Sequence, residues 1–256
     1  MPPPPILLPV FTLGFHHEPA IEPTEWIPAS VPGAVQLDWA LAHDWPEWWR
    51  GDEWKRYRWM EDVWWTYRTS FAPPSLHPGE RLRLVLCGID HSAEVRLNGT
   101  GVSRHTGMQT PLVVDLTPHL QPHNELRVTI QPAPKSRATP ENRQQANATT
   151  KAAVSYTWDF HPRLIPLGLS RAARMEVIRT DGLENAELVC EVAANQNLAG
   201  PTFASELPAA PQGLFELELT VEGRPGLGST YTLCFAPPDP AMLDVRGPSE
   251  RPVRPT

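Results

Sequence analysis

Residues 63–178 contain short runs in which hydrophobic and polar residues alternate. The clearest runs are Val63–Phe71, which is rich in aromatic and β-branched residues, Arg81–Leu86, residues 123–130 and Arg174–Ile178. Alternation with a period of two is typical of strands that bury one face, and turn-forming residues separate the runs. The pattern therefore predicts an antiparallel β-sandwich in which Arg174–Ile178 is the closing strand.

Asn98 and Gly99 separate two further alternating runs. Both central residues of a type I′ turn need a positive φ, which Asn and Gly adopt more readily than other residues. The dipeptide therefore predicts a β-hairpin with a two-residue turn.

The segments that flank these runs lack a period. Residues 1–25 are rich in proline and are predicted to form an extended or poorly ordered lead-in, in which His16 and His17 are solvated. A Pro-Gly pair at Pro32 predicts a turn, and the apolar stretch after it is long enough for one or two helical turns. Residues 131–150 are polar and contain prolines, so a long loop is expected there.

The character of the sequence changes after residue 180. Three further strands are predicted in the segments AELVCEV, FELELTV and TYTLCF, and a low-complexity tail follows them. An immunoglobulin-like sandwich has about seven strands, so three strands indicate an incomplete domain. We divide the chain into a lead-in at residues 1–25, a sandwich domain at 26–180 and a partial domain at 181–256. Alternatively, the last three strands are an appendage of the sandwich domain.

The composition argues against several classes of function. The 256 residues have a formal net charge of −7, so no excess of Lys and Arg is present to neutralise the phosphates of nucleic acid. No stretch approaches the roughly 18 apolar residues of a membrane span, and the first residues lack the basic segment of a secretory signal. We expect a soluble, cytoplasmic protein that binds neither nucleic acid nor membrane.

The three cysteines, Cys87, Cys190 and Cys234, are too few and too widely spaced for a disulfide framework. We interpret them as buried reduced thiols, and a Cys190–Cys234 bridge is the alternative in an oxidising compartment. No motif for zinc, a nucleotide or another cofactor occurs, so no metal and no cofactor are expected.

Nine of the ten tryptophans lie between Trp26 and Trp65. They alternate there with Arg, Lys, Asp and Glu, a composition suited to sugars because aromatic rings cover C–H faces and polar groups bond hydroxyls. Packing in the core or at a domain interface is the alternative, and we expect it for at least six of the nine.

The acidic side chains near the tryptophans fall into two groups of candidate functional residues. Asp159 is one, because its carboxylate can accept hydrogen bonds from two neighbouring hydroxyls while Trp158 supplies a stacking face. The alternative for Asp159 is a structural role, in which it caps a turn or pairs with Arg163 or Arg171. The other candidates are interpreted as solvated surface charge, and they are Asp52, Glu53, Glu61 and Asp62.

Several motifs, taken in order, resemble the N-terminal domain of glycoside hydrolase family 2, and most of all its β-mannosidase branch. They are VPGAVQLDWALA, GDEWKRYRWMEDVWWTYRTSF, the hairpin from Asp90 to Asn98-Gly99, and SYTWDFHPRLIPLGLSR. The resemblance covers Trp26 to Ile178. It implies an all-β fold, with a galactose-binding-like jelly-roll β-sandwich followed by an incomplete immunoglobulin-like β-sandwich.

The resemblance also implies a role for the segment around Asp159. In the family an Asp of the jelly roll contacts hydroxyls of the terminal sugar, and Asp159 matches that position, with Trp158 as a second substrate-binding residue. The sequence departs from the branch at Phe160-His161, where Trp-Gly is usual, and at Leu169-Ser170, where Ile-Trp is usual. The residues implied to support the loop are Lys151, Tyr156, Arg163 and Arg171.

The function that the resemblance implies is that of a non-catalytic N-terminal portion of a β-mannosidase-like glycosidase, which hydrolyses terminal β-glycosides. In the family both catalytic glutamates belong to a (β/α)₈ barrel, so no catalytic residue is assigned among these 256 residues. The expected partners are a carbohydrate with a terminal β-linked sugar and a separately encoded catalytic barrel. The alternatives are a stand-alone carbohydrate-binding module and an inactive remnant of a glycosidase.

Overall fold

The computed structural model describes residues 5–136, 139–179, 183–192 and 215–223. The chain divides into two compact units, residues 1–182 and residues 183–256. The first unit contains two antiparallel sheets that share one hydrophobic core. The predicted all-β sandwich is therefore confirmed.

Twelve strands make up the described part of the first unit. In the larger sheet the order is β3-β2-β4-β10-β7-β8, in the smaller sheet it is β1-β12-β5-β9, and β6 pairs with β11 separately. In chain order the strands are β1 (Ile6–Leu7), β2 (Phe11–His16), β3 (Ile27–Ala29), β4 (Trp64–Phe71), β5 (Glu80–Leu86), β6 (Ile89–Asp90), β7 (Ser92–Leu97), β8 (Thr100–Thr106), β9 (Leu112–Asp115), β10 (Asn124–Ile130), β11 (Gly168–Leu169) and β12 (Ala173–Arg179).

Alternation of side chains builds the core. In β10 the side chains of Leu126, Val128 and Ile130 are fully buried, while Arg127 and Thr129 are partly exposed on the opposite face. Strand β7 buries alternate residues in the same way, whereas β4 and β5 also bury neighbouring residues such as Thr66 and Val85. The apolar faces of the two sheets therefore meet inside the sandwich, and the outer face of the larger sheet is polar.

The helical segments are short. The helix α1 (Val35–Ala42) is the pair of turns that the sequence predicts after the Pro-Gly dipeptide, and it buries Val35 and Trp39. The Val35 amide donates a hydrogen bond to the Leu167 carbonyl, N–O 2.9 Å, so the start of α1 is tied to the approach to β11. Four 3₁₀ helices accompany it in the described residues, at Glu53–Asp62, Thr117–His119, Arg143–Ala148 and Ala153–Tyr156.

The predicted hairpin at Asn98-Gly99 is confirmed. Asn98 has a φ of 53° and Gly99 a φ of 79°, and the two residues join the antiparallel strands β7 and β8. The Asn98 amide group also donates hydrogen bonds to the His119 carbonyl and to the Asn124 side chain, each 3.0 Å long. The turn is thereby fixed to the segment that leads into β10.

Of the two alternatives for residues 1–25, extended or poorly ordered, the described part of this segment is extended where it forms β1 and β2. Strand β2 lies inside the larger sheet, between β3 and β4, and its Leu13 side chain is fully buried. His16 is buried as well, and its Nε2 atom is 3.0 Å from the Thr66 hydroxyl. The prolines of this region flank β2 without interrupting it, which leaves the backbone amides of Phe11–His16 free to pair.

The clustered tryptophans pack mainly around the core. Trp39, Trp59 and Trp65 surround Phe15, with ring centroids between 4.8 and 5.6 Å from the Phe15 ring. Trp45 and Trp48 also pack against the core, and Trp26 stacks on the Arg68 guanidinium at 3.8 Å. Trp49 is 63% exposed, and Trp54 and Trp64 are not part of the core either.

The second unit contains two described strands, β13 (Leu183–Val192) and β14 (Phe215–Gly223), which pair in antiparallel fashion. They contain two of the three strands predicted after residue 180. The third, TYTLCF, lies outside the described residues together with Cys234. The partial immunoglobulin-like domain at 181–256 stays a prediction.

Candidate functional site

The segment between β10 and β11 carries a tight turn at its tip. Trp158 and His161 exchange backbone hydrogen bonds, with N–O distances of 3.0 and 3.3 Å, and so enclose a two-residue turn. Asp159 and Phe160 are its central residues, and both are exposed, Phe160 to 80%. The turn therefore presents a carboxylate and a phenyl ring side by side at the surface.

The base of the turn is held in an unusual backbone conformation. Thr157 has a φ of 122°, a region that glycine adopts freely and β-branched residues rarely adopt. The next residue, Trp158, packs against Arg143, whose guanidinium carbon lies 4.1 Å from the indole centroid. One face of Trp158 is thus covered by this cation, although the residue as a whole is 37% exposed.

Arg163 anchors the segment just after the turn. Its Nη2 atom is 2.8 Å from the Glu61 carboxylate and 2.8 Å from the Gln145 side-chain oxygen, and its Nη1 atom donates to the Tyr156 carbonyl at 3.2 Å. Lys135 adds a second cation to the same Glu61 carboxylate. Because both members of the Arg163–Glu61 pair are about 95% buried, water competes little for either charge.

A second buried ion pair lies at Lys151, before the turn. The Lys151 ammonium donates hydrogen bonds to the Asp90 carboxylate and to the Pro166 carbonyl, the latter at 2.6 Å. Burial lowers the pKa of Lys151 and raises the pKa of Asp90, and the attraction between the two charges opposes both shifts. The pair links β6 to the chain that enters β11.

Tyr156 fixes the 3₁₀ helix that leads into the turn. Its ring is fully buried, and its hydroxyl donates a 2.6 Å hydrogen bond to the Pro134 carbonyl. Burial, and then the charges of Asp90 and Glu61, raise the pKa of this hydroxyl well above its usual value of 10.0. The phenol is consequently a permanent donor in this position.

Arg171 does not join this cluster. It is exposed after β11, and its side chain lies over Gly88, where an added methyl group would come within 2.8 Å of the Arg171 Cγ atom. Lys151, Tyr156 and Arg163 are therefore brought together below the turn, and Arg171 is not.

Two structural interpretations from the sequence need correction. Glu61 is not a solvated surface charge, because it is 4% exposed and forms the centre of the Arg163 network. The proposed pairing of Asp159 with Arg163 or Arg171 is also absent, since Arg163 binds Glu61. Sequence offers no local signal for the Glu61 role, because its partner lies 102 positions away. Asp90 and Gln145 escape sequence reasoning for the same reason.

An apolar surface lies beside the turn. Leu37 of α1 is 55% exposed at this surface. Leu41, one helical turn later, is 79% exposed, and Trp49 and Phe160 are exposed as well. A groove of about 240 Å³ runs into it between α1 and the residues that flank the turn, and Trp48 and His161 line it with rings 5.8 Å apart. Exposed apolar area of this kind is typical of a surface that contacts a partner.

The described residues contain no cluster of three or more His, Cys, Asp or Glu side chains arranged to hold a metal ion. In the same residues, none of the helices has the length and apolar character needed to cross a bilayer.

Residues 15–171 match a family model whose description is glycosyl hydrolase 2 galactose-binding domain-like. The chain belongs to this family. The match runs from the end of β2 to Arg171, two residues before the closing strand, so it contains both buried ion pairs and the turn at Asp159. It confirms the galactose-binding-like β-sandwich that the sequence motifs indicate.

The relatives of this chain include fungal proteins named β-mannosidase B. β-Mannosidase B from Aspergillus flavus is 27% identical over 167 residues, which cover 60% of this chain and 20% of that protein. β-Mannosidase B from Thermothelomyces thermophilus is 31% identical over 134 residues, which cover 47% of this chain and 16% of that protein. The chain thus spans about a fifth of the length of the curated relatives that it matches.

Solved structures of other proteins share the fold. The β-D-mannosidase from Dictyoglomus thermophilum has a TM-score of 0.61 at 20% identity, with 73% of this chain and 24% of that chain covered. A β-glucuronidase from an uncultured Clostridium has a TM-score of 0.51 at 16% identity, with 85% and 33% covered. At these identities the likeness concerns the fold alone.

Proposed function

We propose that this chain acts as the non-catalytic N-terminal part of a β-mannosidase-like glycosidase and presents Asp159 to a terminal β-linked sugar in the pocket of a catalytic barrel. The barrel carries the two carboxyl groups that hydrolyse the glycoside with retention. The role of this chain is to bind and position the sugar. The observation that carries the proposal is the exposed Asp159 carboxylate on a firmly anchored turn.

The position of Asp159 suits hydroxyl recognition. Its carboxylate has no ion-pair partner among the residues that the structure describes, so both oxygens are available to accept hydrogen bonds. Each hydrogen bond to a charged acceptor contributes roughly 1.5–3 kcal/mol where water is excluded. Asp159 gains that environment when a partner surface closes over the turn.

The anchoring of the turn supports the same role. Arg163 and Lys151 form buried ion pairs on the two sides of it, and Tyr156 is hydrogen-bonded below it. A site that must hold a ligand within about 0.5 Å needs such fixed supports, because a loose side chain loses much of the binding energy in ordering. Buried anchors beneath an exposed tip are what a positioning loop requires.

The apolar surface supports a protein partner beside the sugar. Leu37 lines the groove beside His161, and Leu37, Leu41, Trp49 and Phe160 are all exposed in this chain. The relatives named β-mannosidase B are about five times as long as the match, so their remaining residues offer a candidate occupant for this surface.

A chimera tests the proposal. Residues 15–171 of this chain would replace the matched segment of β-mannosidase B from Aspergillus flavus, and hydrolysis of a β-mannoside would be measured. We expect the chimera to be active and Asp159→Ala to lower kcat/KM by roughly 100-fold or more, which corresponds to two charged hydrogen bonds. Asp159→Asn keeps one acceptor oxygen and should lose less.

The matched control is Asp52→Ala, which removes an exposed carboxylate whose ion pair with Lys55 lies at the surface. This variant should retain the kcat/KM of the chimera. Equal kcat/KM values for Asp159→Ala and Asp52→Ala would refute the role of Asp159. A chimera that folds, as judged by circular dichroism, but hydrolyses no β-glycoside would refute the β-mannosidase assignment.

A further inference from the structure

A cavity of about 340 Å³ lies on the outer face of the larger sheet, and none of the turn residues 158–161 lines it. Its floor consists of outward side chains from β2, β4, β7, β8 and β10. Its wall is the segment from Pro19 to Pro23, which crosses the sheet after β2. The volume falls in the range of about 300–1,000 Å³ that is usual for small-molecule sites.

The wall of this sheet-face cavity is fixed to the sheet. A methyl group on Gly14 would lie 2.5 Å from the Pro23 side chain and 2.6 Å from the Glu25 carbonyl, so only glycine allows the segment to approach this closely. Glu22 forms an ion pair with Arg127 of β10. The cavity is therefore a built feature of the fold, with a wall that is pinned at more than one point.

The floor combines an aromatic platform with hydroxyl groups. The indole of Trp64 and the imidazole of His16 lie with a 22° angle between their planes and 6.4 Å between their centroids. Beside them the Thr66 hydroxyl is 3.0 Å from His16 Nε2 and 2.9 Å from the Thr129 hydroxyl. A flat aromatic surface beside fixed polar groups matches the C–H face and the hydroxyl rim of a pyranose ring.

Around the cavity, the positive charges of the arginines are matched by carboxylates. The cations and their carboxylate partners are Arg127 with Glu22 and Glu125, and Arg96 and Arg104 with Glu94. An anionic ligand would have to face the Glu22 and Glu94 carboxylates that line the cavity. Sugar hydroxyls both donate and accept hydrogen bonds, so they fit a rim that contains guanidinium donors and carboxylate acceptors together.

We infer that the sheet-face cavity is a second carbohydrate site, which binds a pyranose unit of an uncharged oligosaccharide. The sugar stacks on Trp64, and its hydroxyls bond to the arginine and glutamate side chains of the rim. This site lies apart from the Asp159 turn and works without a catalytic barrel. It gives the domain a carbohydrate-binding activity of its own, in addition to its part in hydrolysis.

Calorimetry on the 256-residue chain tests this inference with β-1,4-mannotetraose, cellotetraose and trigalacturonate as probes. We expect at least one of the two neutral tetrasaccharides to bind with a Kd of about 0.1–1 mM, and trigalacturonate to bind at least tenfold more weakly. Trp64→Ala should weaken binding about tenfold or more. Trp64→Phe, which keeps a smaller ring, should lose less affinity.

Arg104→Ala guards against a loss of binding through unfolding, because the Arg104 side chain is 81% exposed and its removal leaves the core intact. It should weaken binding while circular dichroism stays unchanged. Asp159→Ala should bind as tightly as the parent chain, which separates this site from the proposed function. Binding that resists both Trp64→Ala and Arg104→Ala, binding of trigalacturonate alone, or no heat with either neutral probe up to about 10 mM would overturn the inference.

Discussion

Arg163 and Glu61 lie 102 positions apart in the chain, yet the Arg163 Nη2 atom is 2.8 Å from the Glu61 Oε1 atom, and each side chain is about 95% buried. The pair joins the 3₁₀ helix at Glu53–Asp62 to the segment that carries the Asp159 turn. A buried charge that loses its partner is strongly destabilising, because it is left desolvated and uncompensated. The stability of the sandwich and the placement of the turn therefore depend on the same contact.

Removal of the Arg163 charge should destabilise the first unit. We expect Arg163→Met to lower the free energy of unfolding by about 3–5 kcal/mol, since Glu61 would keep only Lys135 as a cationic partner. Urea unfolding followed by tryptophan fluorescence measures this, because all ten tryptophans lie before residue 183. The control is Arg58→Met, which breaks the exposed pair with Glu141 and should cost far less stability. Equal costs for the two variants would contradict the prediction.

Gly168 should tolerate no side chain. It has a φ of 137°, and an added methyl group would lie 2.6 Å from the Tyr67 hydroxyl and 3.3 Å from the Ala34 Cα atom. We expect Gly168→Ala to lower the free energy of unfolding by about 2–4 kcal/mol through backbone strain and overpacking. The cost should fall when Tyr67→Phe is added, because that change removes the clashing oxygen. Gly51→Ala is the comparison.

Gly51 also has a positive φ, of 51°, but a methyl group there would meet nothing within 4 Å. Its replacement by Ala should cost only about 1 kcal/mol, from the backbone alone. The urea midpoints of Gly168→Ala, Gly168→Ala with Tyr67→Phe, and Gly51→Ala test this prediction. A Gly168→Ala variant as stable as Gly51→Ala would show that the approach of Tyr67 to β11 is not constrained.

Replacement of Thr157 by glycine should stabilise the protein. A β-branched residue at a φ of 122° is strained by about 1–3 kcal/mol, and glycine relieves most of this strain at the expense of chain entropy. We expect Thr157→Gly to raise the midpoint of thermal unfolding slightly. Ala152→Gly serves as the control, because Ala152 has an ordinary φ of −62° and should only lose stability. A lower midpoint for Thr157→Gly would argue against stored strain at the base of the turn.

The Glu176 carboxylate should contribute to the acid sensitivity of the sandwich. Burial opposes its charge, but hydrogen bonds from Arg83 and Arg174 outweigh that effect and hold its pKa below the usual 4.5. For an acid with a lowered folded-state pKa, the stabilisation is present above 4.5 and is lost as the pH falls through the folded-state pKa. Glu176→Gln should therefore flatten the dependence of unfolding free energy on pH below about pH 5.

Urea unfolding at a series of pH values from neutral to acidic measures this slope. Asp52→Asn removes a carboxylate that is 78% exposed, and it should leave the slope closer to that of the parent chain. The prediction fails if the parent and Glu176→Gln lose stability in parallel as the pH falls.

The long strands of the sandwich are predictable from sequence because each one has a strong local pattern. Strand β10 alternates Leu126, Val128 and Ile130 with polar residues, and the hairpin at Asn98 depends on two adjacent residues. Strand β2 is missed because its FTLGFH segment is short and contains a glycine, and prolines stand on both sides of it. Its place in the sheet is determined by pairing with β4, about fifty positions later.

The candidate site also contains a part that sequence predicts and a part that it does not. Asp159 is marked by the family motif around it, and its turn is local, since the hydrogen bonds run between Trp158 and His161. The supports below the turn depend on contacts over long sequence separations, from Arg163 to Glu61 and from Lys151 to Asp90. A charged residue that will be buried against a distant partner looks the same in sequence as one that will be solvated.

The turn at Trp158–His161 is held together by its backbone and not by its two central side chains. Its hydrogen bonds join the backbones of the two outer residues, so the side chains of Asp159 and Phe160 contribute little to holding the fold together. Exchanges at these two positions should change the unfolding free energy by no more than about 0.5 kcal/mol, as is usual for surface substitutions. Under the proposed function, substitutions at positions 159 and 160 would therefore change the sugar preference without altering the sandwich beneath them.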